Sequence, residues 1–410
     1  MNHFEANLEK YADVIIKLGI NLQKGQTLLI EAPIFSAYFT RKIVKRAYEE
    51  GAKMVIVDYH DEELSKLHYC MQPMEGLKEF PMWKANGYAE MAETGDLAIL
   101  QIYAPNPDLL SDVDPERISI RNKTNRTAMK KFNDYVSSGK MNWCTASIPS
   151  NEWAAKVLPD VHEDKRISKM WELIFQMTRS DTPDPVQAWQ EHMNQLTTRA
   201  NDLNERKYKK LHYKGPGTDL TIELPKEHKW MCASFQNEKQ TTFIPNLPTE
   251  EVFTVPLKYG VNGTVSSTKP LNYNGVLVED FTLTFKEGKV IDVKAATGEE
   301  TLRKLIETDE GAAYLGEVAL VSHQSPISKS NILFYNTLFD ENASCHLALG
   351  FPLPVCIEGE NKDKQRLKEI GLNDSVTHVD FMIGSGQLNI EGERESGEVE
   401  PIFLNGEWCK

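Results

Sequence analysis

The feature that constrains this chain most is a change of period near residue 207. Before it, stretches of helical spacing alternate with short runs that are apolar on both faces; after it, alternating runs are joined by tight turns. Phe4, Leu8, Tyr11, Ile15 and Leu18 recur at intervals of three and four, Gly19 follows, and 27–32 is a strand-like apolar run after Lys24-Gly25. The order then repeats: a helix over 38–50 ended by Gly51, a strand over 54–59, a helix near 62–71 and a strand over 96–103. A helix over 115–135, a strand over 143–148 and helices over 164–177 and 185–205 continue it. Strands apolar on both faces and separated by helices bury those faces in a parallel sheet covered on both sides.

Beyond 207 hairpins replace crossovers. Tyr213-Lys-Gly-Pro-Gly-Thr-Asp219 and Lys286-Glu-Gly-Lys289 read as turns between short strands, followed by a helix over 299–308 and strands near 317–322 and 377–383. The expected architecture is an α/β N-terminal domain with a largely parallel sheet over 1–195. An α+β C-terminal domain with mostly antiparallel sheet follows over 196–410, the boundary lying within 180–207, where Ser180-Asp-Thr-Pro-Asp-Pro185 breaks the chain.

Charge and composition narrow the partners. The net charge of −14, with no long basic stretch to offset it, argues against nucleic acid and anionic membrane. No apolar run approaches the roughly 18–20 residues that span a bilayer, and residues 1–10 lack the layout of a secretory signal. The six scattered cysteines form no C-x-x-C pair, which fits a reducing, cytoplasmic setting and excludes a thiolate zinc knuckle. Gly215-Pro-Gly-Thr-Asp-Leu220 lacks the third glycine and the helix of a dinucleotide site, and neither a phosphate-binding loop nor a G-x-S-x-G elbow is present.

What remains is a set of carboxylates and imidazoles. In Asn246-Leu-Pro-Thr-Glu250-Glu251-Val-Phe-Thr254 two adjacent acids follow a Pro-Thr turn, so that either they start a strand and face opposite ways, or Thr249 caps a helix with acids in its first turn. Glu317 stands in the apolar run 313–321, where it is either exposed or buried and in need of a cation. His346 lies between an acidic, amide-bearing turn and an apolar run, as a core histidine or a ligand. In Ser375-Val-Thr-His-Val-Asp-Phe-Met-Ile-Gly384, strand alternation puts His378 and Asp380 on one face, as a structural pair or as ligands. Three carboxylates and two imidazoles without a thiolate suit a pair of divalent ions such as zinc, cobalt or manganese, which can drive amide hydrolysis.

The segments 246–254, 315–321, 333–346 (Leu-Phe-Tyr-Asn-Thr-Leu-Phe-Asp-Glu-Asn-Ala-x-Cys-His) and 378–384 resemble, in order and separation, those of the M29 family of metalloaminopeptidases. That family includes the thermophilic-type and staphylococcal-type bacterial leucyl aminopeptidases, and the similarity extends over essentially the whole chain. The resemblance implies a cytoplasmic homodimer that acts on peptides, with Glu250, Glu317, His346, His378 and Asp380 holding two divalent ions. Glu317 would bridge, Glu250 and Asp380 would complete one ion, and His346 and His378 the other. Glu251 is the expected proton carrier. One position departs: where the family commonly reads Gly-x-Ala-Tyr, this chain has Gly350-Phe-Pro-Leu353, so the tyrosine thought to line the family's active site is missing. A dinuclear amidase on a non-peptide substrate and an inactive metal-binding module are the competing readings.

Overall fold

The protein is described by a computed structural model over residues 3–273, 275–359 and 363–409. It divides into two compact units, Met1–Glu191 with Ser234–Pro248, and His192–Ala233 with Thr249–Lys410.

In the first unit a five-stranded parallel sheet runs in the order Met54–His60, Thr27–Pro33, Leu97–Tyr103, Asn142–Ser147, Asn246–Leu247. Both faces are covered, as the two-sided apolar runs require. Tyr11, from the helix His3–Val14, stacks on Phe39 with centroids 5.4 Å apart and donates its hydroxyl to the Ser147 carbonyl at 3.0 Å. Leu29, Tyr88, Ala92, Leu97, Ile99, Phe132 and Met141 form a buried apolar cluster in the same unit. The stretch 115–135 is two helices rather than one, Pro115–Ala128 and Lys130–Ser137, interrupted at Met129.

A single cut at 195/196 does not partition this chain. Residues 234–248 return to the first unit, where Asn246–Leu247 extends the parallel sheet beside Thr145 and Ala146. The passage from Glu191 to His192 lies inside one helix, Pro185–Arg206.

The second unit is built from two antiparallel sheets. The larger has the order Lys289–Lys294, Thr282–Lys286, Val261–Ser266, Thr218–Glu223, Lys210–Gly215, Asn389–Glu393, Val399–Leu404, Glu407–Trp408. The smaller has the order His378–Met382, His346–Gly350, Leu315–Val321, Glu251–Thr254, Met231–Cys232. One face of the smaller sheet, Val252, Val318, Leu320, Leu347 and Phe381, joins Tyr213, Leu220, Ile222 and Leu283 of the larger one in a common core. Period-2 alternation therefore sends every second side chain of these strands to the opposite face.

Candidate metal centre

That opposite face carries the polar set. Antiparallel register places Ala319 across from His346, Ala348 across from both Glu317 and Asp380, and Gly350 across from His378. Three small residues thus stand beside the long polar ones and leave them room. Gly350 has φ +107°, and a Cβ there would collide with the Thr377 carbonyl, so only glycine fits at this position.

Glu251, Glu317 and His346 bring ligand atoms within 4.8 Å of one another, and Glu317, His378 and Asp380 do the same. Glu317 belongs to both groups. His346 Nε2 lies 3.2 Å from Glu251 Oε2; His378 Nε2 lies 3.1 Å from Glu317 Oε2 and 3.3 Å from Asp380 Oδ1. Glu317 is 4% exposed, which removes the alternative of a surface-facing strand residue. The His378 side chain, at 28% exposure, is the open side of the cluster.

The acid pair at 250 and 251 stands at the start of a strand, not in a helix, and its members face opposite ways. Glu251 and not Glu250 turns to the cluster. Glu250 Oε2 lies 3.5 Å from His192 Nε2, and its backbone N–H donates to Asn342 Oδ1 at 2.7 Å. The pairing also differs from the one implied by the resemblance, because each group here combines one imidazole with carboxylates.

Glu341 is the acid that sequence reasoning passed over. It stands in the turn Glu341–Ala343, and burial, then the Glu251 and Asp380 carboxylates, push its carboxyl well above the usual range. Burial likewise raises Glu317 against the His378 hydrogen bond, whereas His378 holds Asp380 below its ordinary value in spite of burial. Burial disfavours the charged imidazoles, but the Glu251 hydrogen bond and the surrounding carboxylates outweigh it and push His346 up to about 10. Asp380 and Glu317 push His378 up to about 12 in the same way.

These residues fit a pair of divalent cations. His346 Nδ1 lies 3.2 Å from the Ser344 carbonyl and His378 Nδ1 lies 2.7 Å from that of Phe351. With Nδ1–H donated to backbone, an imidazole that gives up its other proton to a cation is left with its lone pair on the Nε2 that faces the carboxylates, the arrangement of metal-ligating histidines. Crowded buried carboxylates also need positive charge to be stable.

A pH dependence follows for chelator-treated protein. An imidazole whose folded value exceeds its ordinary 6.5 stabilises fully below about 6.5 and ceases to do so as pH rises through about 10. The raised carboxyls of Glu317 and Glu341 act with the same sign, since deprotonating them costs more in the folded state. The melting temperature of the chelated protein is expected to fall between pH 6.5 and 9, and zinc to flatten that slope. A flat profile in chelator would contradict the electrostatics described here.

The family profile of thermophilic metalloproteases (M29) matches residues 4–408. The chain belongs to the M29 family. It is 50% identical over 410 residues to Aminopeptidase 2 of Geobacillus stearothermophilus, covering 100% of this chain and 99% of that one. It is 48% identical over 410 residues to aminopeptidase AmpS of Bacillus subtilis (strain 168), covering both chains fully. Wild-type AmpT from Thermus thermophilus superposes with a TM-score of 0.94 at 38% identity, over 99% of this chain and 100% of that one. As an M29 member the chain is a metallopeptidase, a hydrolase of the exopeptidase class. Among the described residues of this M29 enzyme no helix is long and apolar enough to cross a membrane. Leu353 follows two residues after Phe351, whose carbonyl orients His378, and it precedes the helical turn Pro354–Cys356.

Proposed function

We propose that this M29 aminopeptidase holds two divalent ions, zinc, cobalt or manganese, and releases N-terminal, chiefly apolar residues from peptides. The observation that carries the reading is Glu317, a buried carboxylate common to two ligand groups, as a bridging ligand must be. Glu251 and His346 complete one position, His378 and Asp380 the other. The ions would supply an acidified water and polarise the scissile carbonyl.

The protein's own groups do the rest. Glu341, buried beside Glu251 and Asp380 with its carboxyl pushed above the usual carboxylate range, is placed to carry the proton. It accepts one from the attacking water and returns it to the departing amine. Glu251, 3.2 Å from His346, is committed as a ligand in this reading rather than as the proton carrier. The excess of carboxylates favours the α-ammonium of a free N-terminus over a neutral acyl cap. Glu250 supports the site through its pairing with His192 and its backbone bond to Asn342.

The proposed setting is a cytoplasmic homodimer. Free cysteines support a reducing compartment, and Met71 and Trp83, 76% and 78% exposed, give the first unit apolar surface for a second copy.

Metal-supplemented enzyme is expected to hydrolyse short peptides with a free α-amine, to leave their N-acetylated counterparts intact, to lose activity in chelator, and to run as a dimer in light scattering. Equal cleavage of acetylated peptides would remove the exopeptidase assignment, and chelator-resistant turnover the metal mechanism. Turnover confined to non-peptide amides would favour the amidase, and metal binding without turnover the inactive module.

A further inference from the structure

The amide-bearing turn ahead of His346 does more than end a helix. Glu341–Ala343 follows the helix Thr337–Asp340, and Asn342 at its centre is fully buried. A buried amide needs partners for both of its ends. Asn342 Oδ1 accepts the Glu250 N–H at 2.7 Å, while its Nδ2 donates to the Leu338 carbonyl at 3.1 Å and reaches Glu341 Oε1 at 3.4 Å. An N–H on one side and two acceptors on the other fix which end of the amide is oxygen and which is nitrogen. The Asn342 carbonyl accepts the hydroxyl of buried Ser325 at 3.1 Å, and Ser325 itself caps the helix Pro326–Ser330.

Two acids of the cluster depend on these bonds. Glu251 is the residue next to the bonded N–H and the first of its strand, where the ladder against Val321 begins. Ahead of that point the chain is held by side chains: His192 Nε2 donates to the Thr249 carbonyl at 2.8 Å, and Asn342 takes the Glu250 N–H. Glu251, Glu317, His346, His378 and Asp380 all stand on strands, whereas Glu341 stands on the turn. The position of Glu341 relative to Glu251 is therefore set by what ties the turn to the strand, and the Asn342 amide is such a tie. An amide does this without adding charge to crowded carboxylates.

We propose that Asn342 is a positioning residue: by holding its turn against the start of the Glu251 strand, it fixes where the carboxylates of Glu251 and Glu341 stand with respect to each other. The proposal rests on the ligand and proton-carrier roles given to those two acids above. Through Glu251 the amide acts on metal affinity, and through Glu341 on kcat.

Asn342→Asp and Asn342→Ala test it. Aspartate keeps an acceptor for the Glu250 N–H and sets a second acid against Glu341; alanine keeps neither bond. The readouts are the melting temperature, the zinc affinity by calorimetry, and kcat and KM on leucinamide at saturating zinc, with Asn342→Asp measured also in a Glu341→Gln background. Asn342→Ala should weaken zinc binding at least about tenfold, within the range for residues that orient metal ligands. Asn342→Asp should bind zinc as tightly as wild type or more so, and should lose at least about tenfold in kcat with KM unchanged. In the Glu341→Gln background the same substitution should lower kcat by less than about twofold, since residues that act through one another are not additive. An undiminished kcat in Asn342→Asp overturns the proposal, and so do a loss that recurs in full without the Glu341 carboxylate and a wild-type zinc affinity in Asn342→Ala. Loss of the folded state in Asn342→Asp overturns it too, by making the amide a support of the fold; if Asn342→Ala alone unfolds, Asn342→Asp and its Glu341→Gln background decide. If wild type leaves leucinamide intact, or Glu341→Gln turns it over as fast as wild type, the reading above falls instead, and the zinc affinities still decide the part that acts through Glu251.

Discussion

Glu317→Ala is expected to lose both bound ions and, with them, hydrolysis, while the protein stays folded. Glu317 is the one residue common to the two ligand groups, so its removal strips a contact from each. Disturbing even the partners that orient metal ligands commonly costs about 10–100-fold in affinity or activity, and loss of the shared ligand itself should exceed that. The fold should survive, because Val318 and Leu320 on the same strand still fill the core from the other face. Elemental analysis beside a melting curve reads both parts. Full metal occupancy with unchanged turnover in the variant would show that Glu317 is not a ligand.

The second large effect concerns Leu353. Restoring the tyrosine that the M29 resemblance places there is expected to raise kcat by about 10²–10³, or about 3–4 kcal/mol, the scale of one hydrogen-bond donor acting on charge that develops in the transition state. The backbone permits the change: Leu353 has φ −89° and ψ 104°, an ordinary extended conformation, and it follows closely on the Phe351 carbonyl that orients His378. An interaction made only in the transition state appears in kcat rather than in KM. Steady-state kinetics of wild type and Leu353→Tyr on one leucyl substrate are decisive. An unchanged kcat with altered KM would show that the Phe351–Leu353 loop shapes a binding surface and supplies no missing donor.

Most of the fold is legible in the sequence because two periods contrast sharply. The runs at 27–32 and 54–59 are apolar on both faces and separated by helical spacing, and they become Thr27–Pro33 and Met54–His60 of the parallel sheet. The turn at 213–219 becomes the hairpin between Lys210–Gly215 and Thr218–Glu223. Where period is absent, so is the signal. Asn246–Leu247 is two residues long, too short to carry an alternation, so its place in the first unit's sheet is invisible in sequence. The helices Pro115–Ala128 and Lys130–Ser137 meet at Met129, with neither glycine nor proline to mark the break.

The site shows the same division. Strand alternation alone puts His378 and Asp380 on one face. It does not choose between Glu250 and Glu251, because neighbours on a strand always diverge and the local pattern does not say which of them faces the other polar residues. The register of Glu251 against Val321 settles it. Glu341 and Asn342 stand in a turn whose place is set by hydrogen bonds to Glu250 and Ser325, a tertiary cause with no periodic trace.

The five-stranded sheet keeps its two tasks on separate surfaces: Val252, Val318, Leu320, Leu347 and Phe381 build the core, and Glu251, Glu317, His346, His378 and Asp380 face away from it. Foldability and chemistry are therefore inherited independently. In that reading a descendant of this chain that has lost one of the five polar residues still carries the apolar face that makes it a recognisable member of its family, so that overall likeness is a durable record of ancestry and a poor guarantee of catalysis. In such a lineage activity would end before architecture does, because the scaffold that holds these side chains is preserved for another reason.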